Sequence, residues 1–235
     1  MPQTINIQDI ENLEYNFGSS YNYQGKNVPR VTEIISGCIS EDYLLQWANR
    51  LGFQHKSYSS TLQTYADYGT AVHEGIESYL QEKDIAENTP NIPMMGFKKW
   101  WDEINQSNDI KILGQEQSLS CMYYGGTYDL LLGINGNPWL VDFKTSNRLS
   151  DRYLLQLAAY RYMLKVNNIV PELNGVILLR LLKNKPEYEE LVLDFKNPSN
   201  LELIEICQNI FFSMVYSFWY RKYLHDRFIE ISRGR

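Results

Sequence analysis

Apolar residues along this chain change their spacing several times, and each change marks a different kind of element. From Leu62 to Leu80 they recur every three or four positions (Leu62, Ala66, Gly69, His73, Ile76, Leu80), which predicts an amphipathic helix over about Leu62 to Gln81 with one imidazole on its buried stripe. Gly69 on that stripe would allow close approach of a neighbouring backbone. Helices are expected to fill much of 40–105, broken at Gln81 to Pro93, where Lys83-Asp84, Asn88-Thr89-Pro90 and Pro93 read as a loop. Strand-like runs follow at Ile110 to Cys121, Tyr124 to Ile134 and Pro138 to Thr145. A helix is expected after Ser150 to about Val166, apolar nearly all round from Leu154 through Leu164. Two more strands are expected near Gly175 to Leu182 and Glu189 to Phe195, then a last helix from Ser199, as its cap, to Leu224. Helix, three strands, helix, strand is an order of the mixed α/β class.

Between the second and third strands stands Asn135-Gly136, the strongest short-range signal for a two-residue hairpin, since both central positions of a type I′ turn need positive φ. That turn fixes the register. Leu132 then faces Trp139, Leu130 faces Val141 and Tyr128 faces Phe143 on one apolar side. The other side carries Leu131 across from Leu140, Asp129 across from Asp142 and Thr127 across from Lys144. A slip of one residue would send the charges into the core, so the pattern itself supports this pairing.

Two carboxylates about 5 Å apart repel by about 3 kcal/mol at an effective dielectric near 20. Lys144, on the same side as Asp142, offsets part of this. A hard divalent cation offsets more, because it takes one or two carboxylate oxygens and keeps waters for a phosphate. Acid and lysine side chains on a solvated sheet face are common, and Asp-x-Lys also occurs by chance; the register and the flanking Leu131 and Leu140 give this pair its weight.

Composition narrows the setting. With 44% hydrophobic residues in 235, and no Pro-Gly-Ser linker, the chain reads as one domain: a mainly helical part over 1–105, a sheet core over 106–196 and a carboxy-terminal helix over 197–235. Cys38, Cys121 and Cys207 are scattered and odd in number, which suits a reducing compartment and supplies no zinc spacing or four-cysteine cluster, so no iron-sulfur cluster is expected. The amino terminus, with Asp9, Glu11 and Glu14 and no arginine before Arg30, resembles neither a secretory nor a mitochondrial leader, and the apolar run Phe211 to Tyr220 is too short to span a bilayer. A cytoplasmic protein without a membrane partner is expected, in a host cytoplasm if it is viral. No glycine-rich ATP-binding loop is present.

A net charge of −6 is unusual for a chain that holds DNA, whose affinity comes largely from lysine and arginine. Local positive groups remain at Arg148, Arg152 and Arg161, at Arg180, Lys183 and Lys185, and at Arg221 and Lys222. The 18 tyrosines and five tryptophans suit either a core or base stacking, with Trp100-Trp101 and Tyr123-Tyr124 the pairs to watch.

In order along the chain, Gly69-Thr70-Ala71-Val72-His73, Glu116, Gly126 to Asp129, Asp142 to Thr145 and Gln156 to Tyr160 resemble the motifs of the PD-(D/E)XK nuclease superfamily, in its RecB-like branch. Val31-Thr32-Glu33-Ile34-Ile35 is similar to a segment near the start of those proteins, so the resemblance spans residues 31–160. It implies a restriction-endonuclease-like α-β-β-β-α-β core and a Mg²⁺- or Mn²⁺-dependent deoxyribonuclease, an exonuclease on DNA with single-stranded ends in replication, repair or recombination, those of a phage included. It further implies that His73, Asp129, Asp142 and the carbonyl of Phe143 hold the metal, that Lys144 orients water or offsets charge on the phosphate, and that Glu116 is a variable acid contact. Gln156 and Tyr160 would support the site or touch the DNA backbone, with Arg148 and Arg152 near phosphates. Plainer readings of the same residues are a core histidine, interior polar groups and solvated charges at a helix start. A helicase or single-strand-binding protein would be a separate partner, and a catalytically inactive binding module or an assembly subunit are the alternative functions.

Overall fold

The computed structural model describes residues 21–39 and 42–233; Asp9, Glu11 and Glu14 lie outside them. A short hairpin of β1 (Tyr21–Tyr23) and β2 (Lys26–Val28) precedes four helices: α1 (Val31–Cys38), α2 (Asp42–Phe53), α3 (Tyr58–Leu80) and α4 (Asn91–Ser107). Then come β3 (Ile110–Ser120), β4 (Gly125–Ile134), β5 (Asn137–Lys144), α5 (Arg152–Val166), β6 (Gly175–Leu181), β7 (Tyr188–Asp194) and α6 (Pro198–Arg233). Strands β3 to β7 form one mixed sheet in sequence order, antiparallel except for β5 beside β6, where α5 makes the crossover. The result is an α/β fold with a five-stranded sheet flanked by helices. Among the described residues no helix is long and apolar enough to cross a membrane.

Two apolar clusters cover the two sides of the sheet. One packs Leu131, Leu140, Val176 and Leu178 against α1, α5 and α6; the other packs Leu130, Leu132, Val141, Phe143, Ile177 and Leu179 against α3 and α4. Alternation along β4 and β5 sends successive side chains to these two clusters, so neither strand has a solvated side. Helix α5 buries Leu154, Leu155, Leu157, Ala158, Ala159, Tyr160, Met163 and Leu164, as its apolar run predicts, while Lys165 and Val166 at its end are exposed.

The Asn135-Gly136 turn has positive φ at both residues, and β4 pairs with β5 in the expected register from Ile134↔Asn137 through Leu132↔Trp139 to Leu130↔Val141. There the ladder stops. Strand β4 stays on β3 as far as Gly125, and β5 stays on β6 as far as Lys144, so the sheet forks between them. Tyr128 and Phe143 do not face each other as the hairpin pattern predicts: Tyr128 joins the cluster of Leu131, and Phe143 the opposite one. The physical reason is local. Oδ2 of Asp129 accepts the Phe143 N–H at 2.6 Å, taking the place of a main-chain carbonyl, and two like charges side by side oppose further pairing.

Strand β3 is irregular opposite the same point. Its pairing passes from Gln115↔Leu130 to Gln117↔Tyr128 and skips Glu116 and Asp129, and Glu116 has φ +44°. A non-glycine residue in that conformation costs on the order of 1–3 kcal/mol and persists only where its surroundings impose it.

Other expectations change as well. The last helix starts at Pro198 and runs on to Arg233; Ser199 lies inside its first turn, where its N–H is accepted by Asn197 Oδ1 at 3.1 Å. The expected loop after α3 is shorter, because α4 begins at Asn91 and takes Pro93 into its first turn, where no N–H is required. On α3 the buried stripe holds only from Gly69 onward: Leu62 is 46% exposed and Ala66 is also exposed, so the first turns stand clear of the sheet.

Candidate metal centre

The fork brings together residues from four elements. Helix α3 is seated by Val72 and Ile76 in the cluster containing Leu130, Val141 and Phe143, which presents His73 to the open end of the strands. Nδ1 of His73 lies 3.5 Å from Asp129 Oδ1 on β4 and 3.6 Å from Glu116 Oε1 on β3, and its ring meets the Phe143 ring edge-on at 5.9 Å. One ligand atom each from His73, Glu116 and Asp129 falls within 4.8 Å of the others. This is the spacing that one cation can bridge. The positive φ of Glu116 turns its carboxylate toward the imidazole, out of the ladder.

Asp142 stands differently from its sequence-based role. It is 1% exposed, and its Oδ2 lies 2.5 Å from the Lys144 ammonium. Apart from that ammonium neither oxygen has a hydrogen-bond partner among the described residues. The converging trio is therefore His73, Glu116 and Asp129, and Asp142 lies outside it. A buried carboxylate oxygen left without a donor still favours a nearby cation over an apolar filling. The Phe143 N–H is spent on Asp129.

Electrostatics bind the cluster into one unit. Burial alone would pull the His73 imidazole down, but Asp129 and Glu116 outweigh it and hold its pKa up at about 10. Asp129 is buried too, yet the His73 charge keeps its carboxyl below the usual range. Burial and repulsion from Asp129 push Asp142 up to about 6 despite Lys144. Burial opposes charge on Lys144 as well, and Asp142 and Asp129 more than restore it, so the ammonium stays protonated. Glu116 is raised, chiefly by burial. Three carboxyl groups thus face two basic side chains, so an incoming cation meets an excess of acidic groups.

Of the remaining site residues, Tyr160 lies near enough to this group to feel its charge. Gln156 Nε2 donates to the Tyr160 hydroxyl at 3.2 Å, and both lie on α5; burial pushes the Tyr160 phenol far up, with Asp129 and Asp142 adding to it. Arg148 sits exposed in the loop between β5 and α5, and Arg152 is the first residue of α5, with burial lowering its pKa.

Several expectations about DNA contacts are corrected by packing. Trp100 is 2% exposed and Tyr124 is fully buried, so both are core residues and cannot stack on a base. Arg180 is committed to Glu189 and to the carbonyls of Ser146 and Asn147, which anchors the loop after β5. Arg161 donates to Gln208 and Arg221 to the Gly37 carbonyl, while Lys185 pairs with Glu187. A Cβ at Gly69 would meet Thr145 Oγ1 at an ordinary 3.5 Å, so no close approach requires that glycine.

The sequence pattern missed one residue and understated another. Tyr153 places its ring 5.0 Å below the Lys144 ammonium, a cation–π contact that helps fix the lysine; nothing in the local pattern marks it, because the contact joins a strand end to a helix start. Gly126 has a stricter role than its place in a motif suggests. A Cβ there would sit 2.5 Å from Tyr160 Cε1, so the bare glycine is what lets the ring lie under the fork.

No family model matches the chain, and no curated protein matches it. Among solved structures, the crystal structure of SSO0001 aligns over 80% of this chain and 79% of its own, at 14% identity and a TM-score of 0.35, too slight a likeness to carry an argument.

Proposed function

We propose that this chain is a divalent-metal-dependent deoxyribonuclease built on a PD-(D/E)XK-type core, acting on DNA with single-stranded ends. The observation that carries this reading is the convergence of His73, Glu116 and Asp129 at a fork in the sheet, beside a buried Asp142 and Lys144 ion pair. Purely structural ion pairs do not require an unpaired buried carboxylate oxygen, an acid held at positive φ and an interrupted ladder at one point.

The donor set of carboxylate oxygens with one imidazole suits Mn²⁺ or Mg²⁺ better than a soft ion. His73, Glu116 and Asp129 would hold the cation, with the free oxygen of Asp142 turned to the same charge. Such a cation supplies a lowered pKa for water and neutralises phosphate oxygens. Lys144 keeps its proton, so its contribution is a fixed positive charge where negative charge builds on the phosphate, and not proton abstraction. Tyr153 and Asp142 orient that ammonium, and Tyr160 with Gln156 support the base of the fork.

A fluorescently labelled oligonucleotide incubated with Mn²⁺ or Mg²⁺, with and without EDTA, tests the reading. Chelator-sensitive shortening is expected, and Asp142→Asn and Lys144→Ala should each abolish it while circular dichroism remains native. Variants that keep wild-type turnover would refute the site. A mobility shift without shortening would point to a binding module that lacks catalysis, and neither effect to an assembly subunit.

A further inference from the structure

We infer that the free side of the α2–α3 hairpin is a stacking platform for a single DNA strand approaching the metal centre, with Tyr65 as its central ring; the inference rests on the nuclease reading above. The first turns of α3 carry apolar and aromatic groups where no core receives them: Leu62 is 46% and Tyr65 49% exposed, and Phe53 at the end of α2 is 88% exposed. These rings are nevertheless organised. Trp47 meets Tyr58 edge-on at 5.3 Å and lies 6.0 Å from Tyr65, while the Lys183 ammonium, from the turn between β6 and β7, sits 4.6 Å over Tyr65 and 5.0 Å over Tyr68.

Position links this surface to the chemistry. Tyr65, Gly69 and His73 follow one another at intervals of four on one side of α3, so the ring lies about 12 Å along the helix from the imidazole. Between them Gly69 presents no side chain; a Cβ there would meet Thr145 Oγ1 at 3.5 Å, just past the end of β5. A base on Tyr65 would leave its sugar-phosphate free to run along that bare step to the site.

Charge favours the same occupant. From Gln46 to Ala66 the chain has Arg50 and Lys56 and no acid, in a protein that carries 28 acidic residues and a net charge of −6. An acid-free stretch with exposed rings, beside a lysine already poised over one of them, fits a flexible polyanion whose bases are free to stack. Lys183 would exchange its place over the ring for a phosphate when a base takes that face. A duplex keeps its bases stacked on each other and gains nothing from Tyr65.

The test is anisotropy of a 5′-labelled oligo-dT in EDTA, where no cleavage intervenes. Tyr65→Ala should weaken binding about tenfold, the effect of losing one stacked base; Tyr65→Phe should bind like wild type, and a duplex of equal length should not distinguish them. On a strand of the same length made abasic, wild type and Tyr65→Ala should bind alike. Equal binding of oligo-dT by Tyr65→Ala and wild type would overturn the platform, as would a tenfold gap that persists on the abasic strand, or a change only in oligomeric state. Wild-type cleavage with Mn²⁺ is scored separately. Binding that depends on Tyr65 without cleavage would remove the nuclease reading alone, and cleavage with binding indifferent to Tyr65 would remove the platform alone.

Discussion

Raising the pH should loosen the metal-free protein and tighten its hold on a divalent cation, both through one proton on His73. Asp129 and Glu116 hold the imidazole pKa at about 10, against about 6.5 in an unfolded chain. Below pH 6.5 both states carry the proton and the stabilisation is complete; between 6.5 and 10 only the folded state does, so stability is lost as pH rises. Each pH unit in that window removes about 1.4 kcal/mol, and from pH 7 to 9 the loss is about 3 kcal/mol. For a chain of this size that lowers Tm by about 5–11 °C. Asp142, raised to about 6 by burial and by Asp129, acts with the same sign: its destabilising charge grows between pH 3.8 and 6 and is constant above. A cation ligated by His73 must displace this proton. At pH 8 isothermal titration of Mn²⁺ in two buffers of different ionisation enthalpy should therefore report about one proton released per metal bound, and apparent affinity should rise nearly tenfold per unit between pH 7 and 9. His73→Gln should flatten both dependences. Zero proton release at pH 8, the result for an ordinary imidazole, would refute the reasoning, as would a metal-free Tm that does not fall across this range relative to His73→Gln.

Other outcomes follow from single contacts. Gly126→Ala drives a Cβ into the Tyr160 ring and should cost about 1–3 kcal/mol; adding Tyr160→Ala should cost less than the sum of the two single changes by at least about 1 kcal/mol, measured by urea melts. Glu116→Gly should be more stable than Glu116→Ala by about 1 kcal/mol, the reverse of the usual order in a strand, because glycine accepts φ +44° freely; equal melts would remove the strain argument. Arg180→Ala unties the Ser146 and Asn147 carbonyls and should speed tryptic cleavage after Arg148, with a stability loss of about 2–3 kcal/mol; an unchanged digestion rate would show that this loop is held by other contacts.

What the sequence determined by itself is local in origin. Asn135-Gly136 must adopt positive φ, so the register from Ile134↔Asn137 to Leu130↔Val141 was legible, and with it the nearness of Asp129 to Asp142. The apolar runs likewise located α5 and the five strands of the sheet to within a residue or two, because side-chain period follows directly from backbone geometry. The fork was not legible. Whether the Phe143 N–H goes to a carbonyl or to the Asp129 carboxylate is a contest between a ladder bond and a charge-assisted one, decided by how far His73 and Lys144 compensate the acids. Tertiary packing put Glu116 beside the imidazole, kept Asp142 on Lys144, buried Trp100 and Tyr124, and left Leu62 and Ala66 exposed on a stripe whose periodicity alone read as buried. Periodicity states which side chains share a face; only the packing of distant elements decides whether anything covers that face.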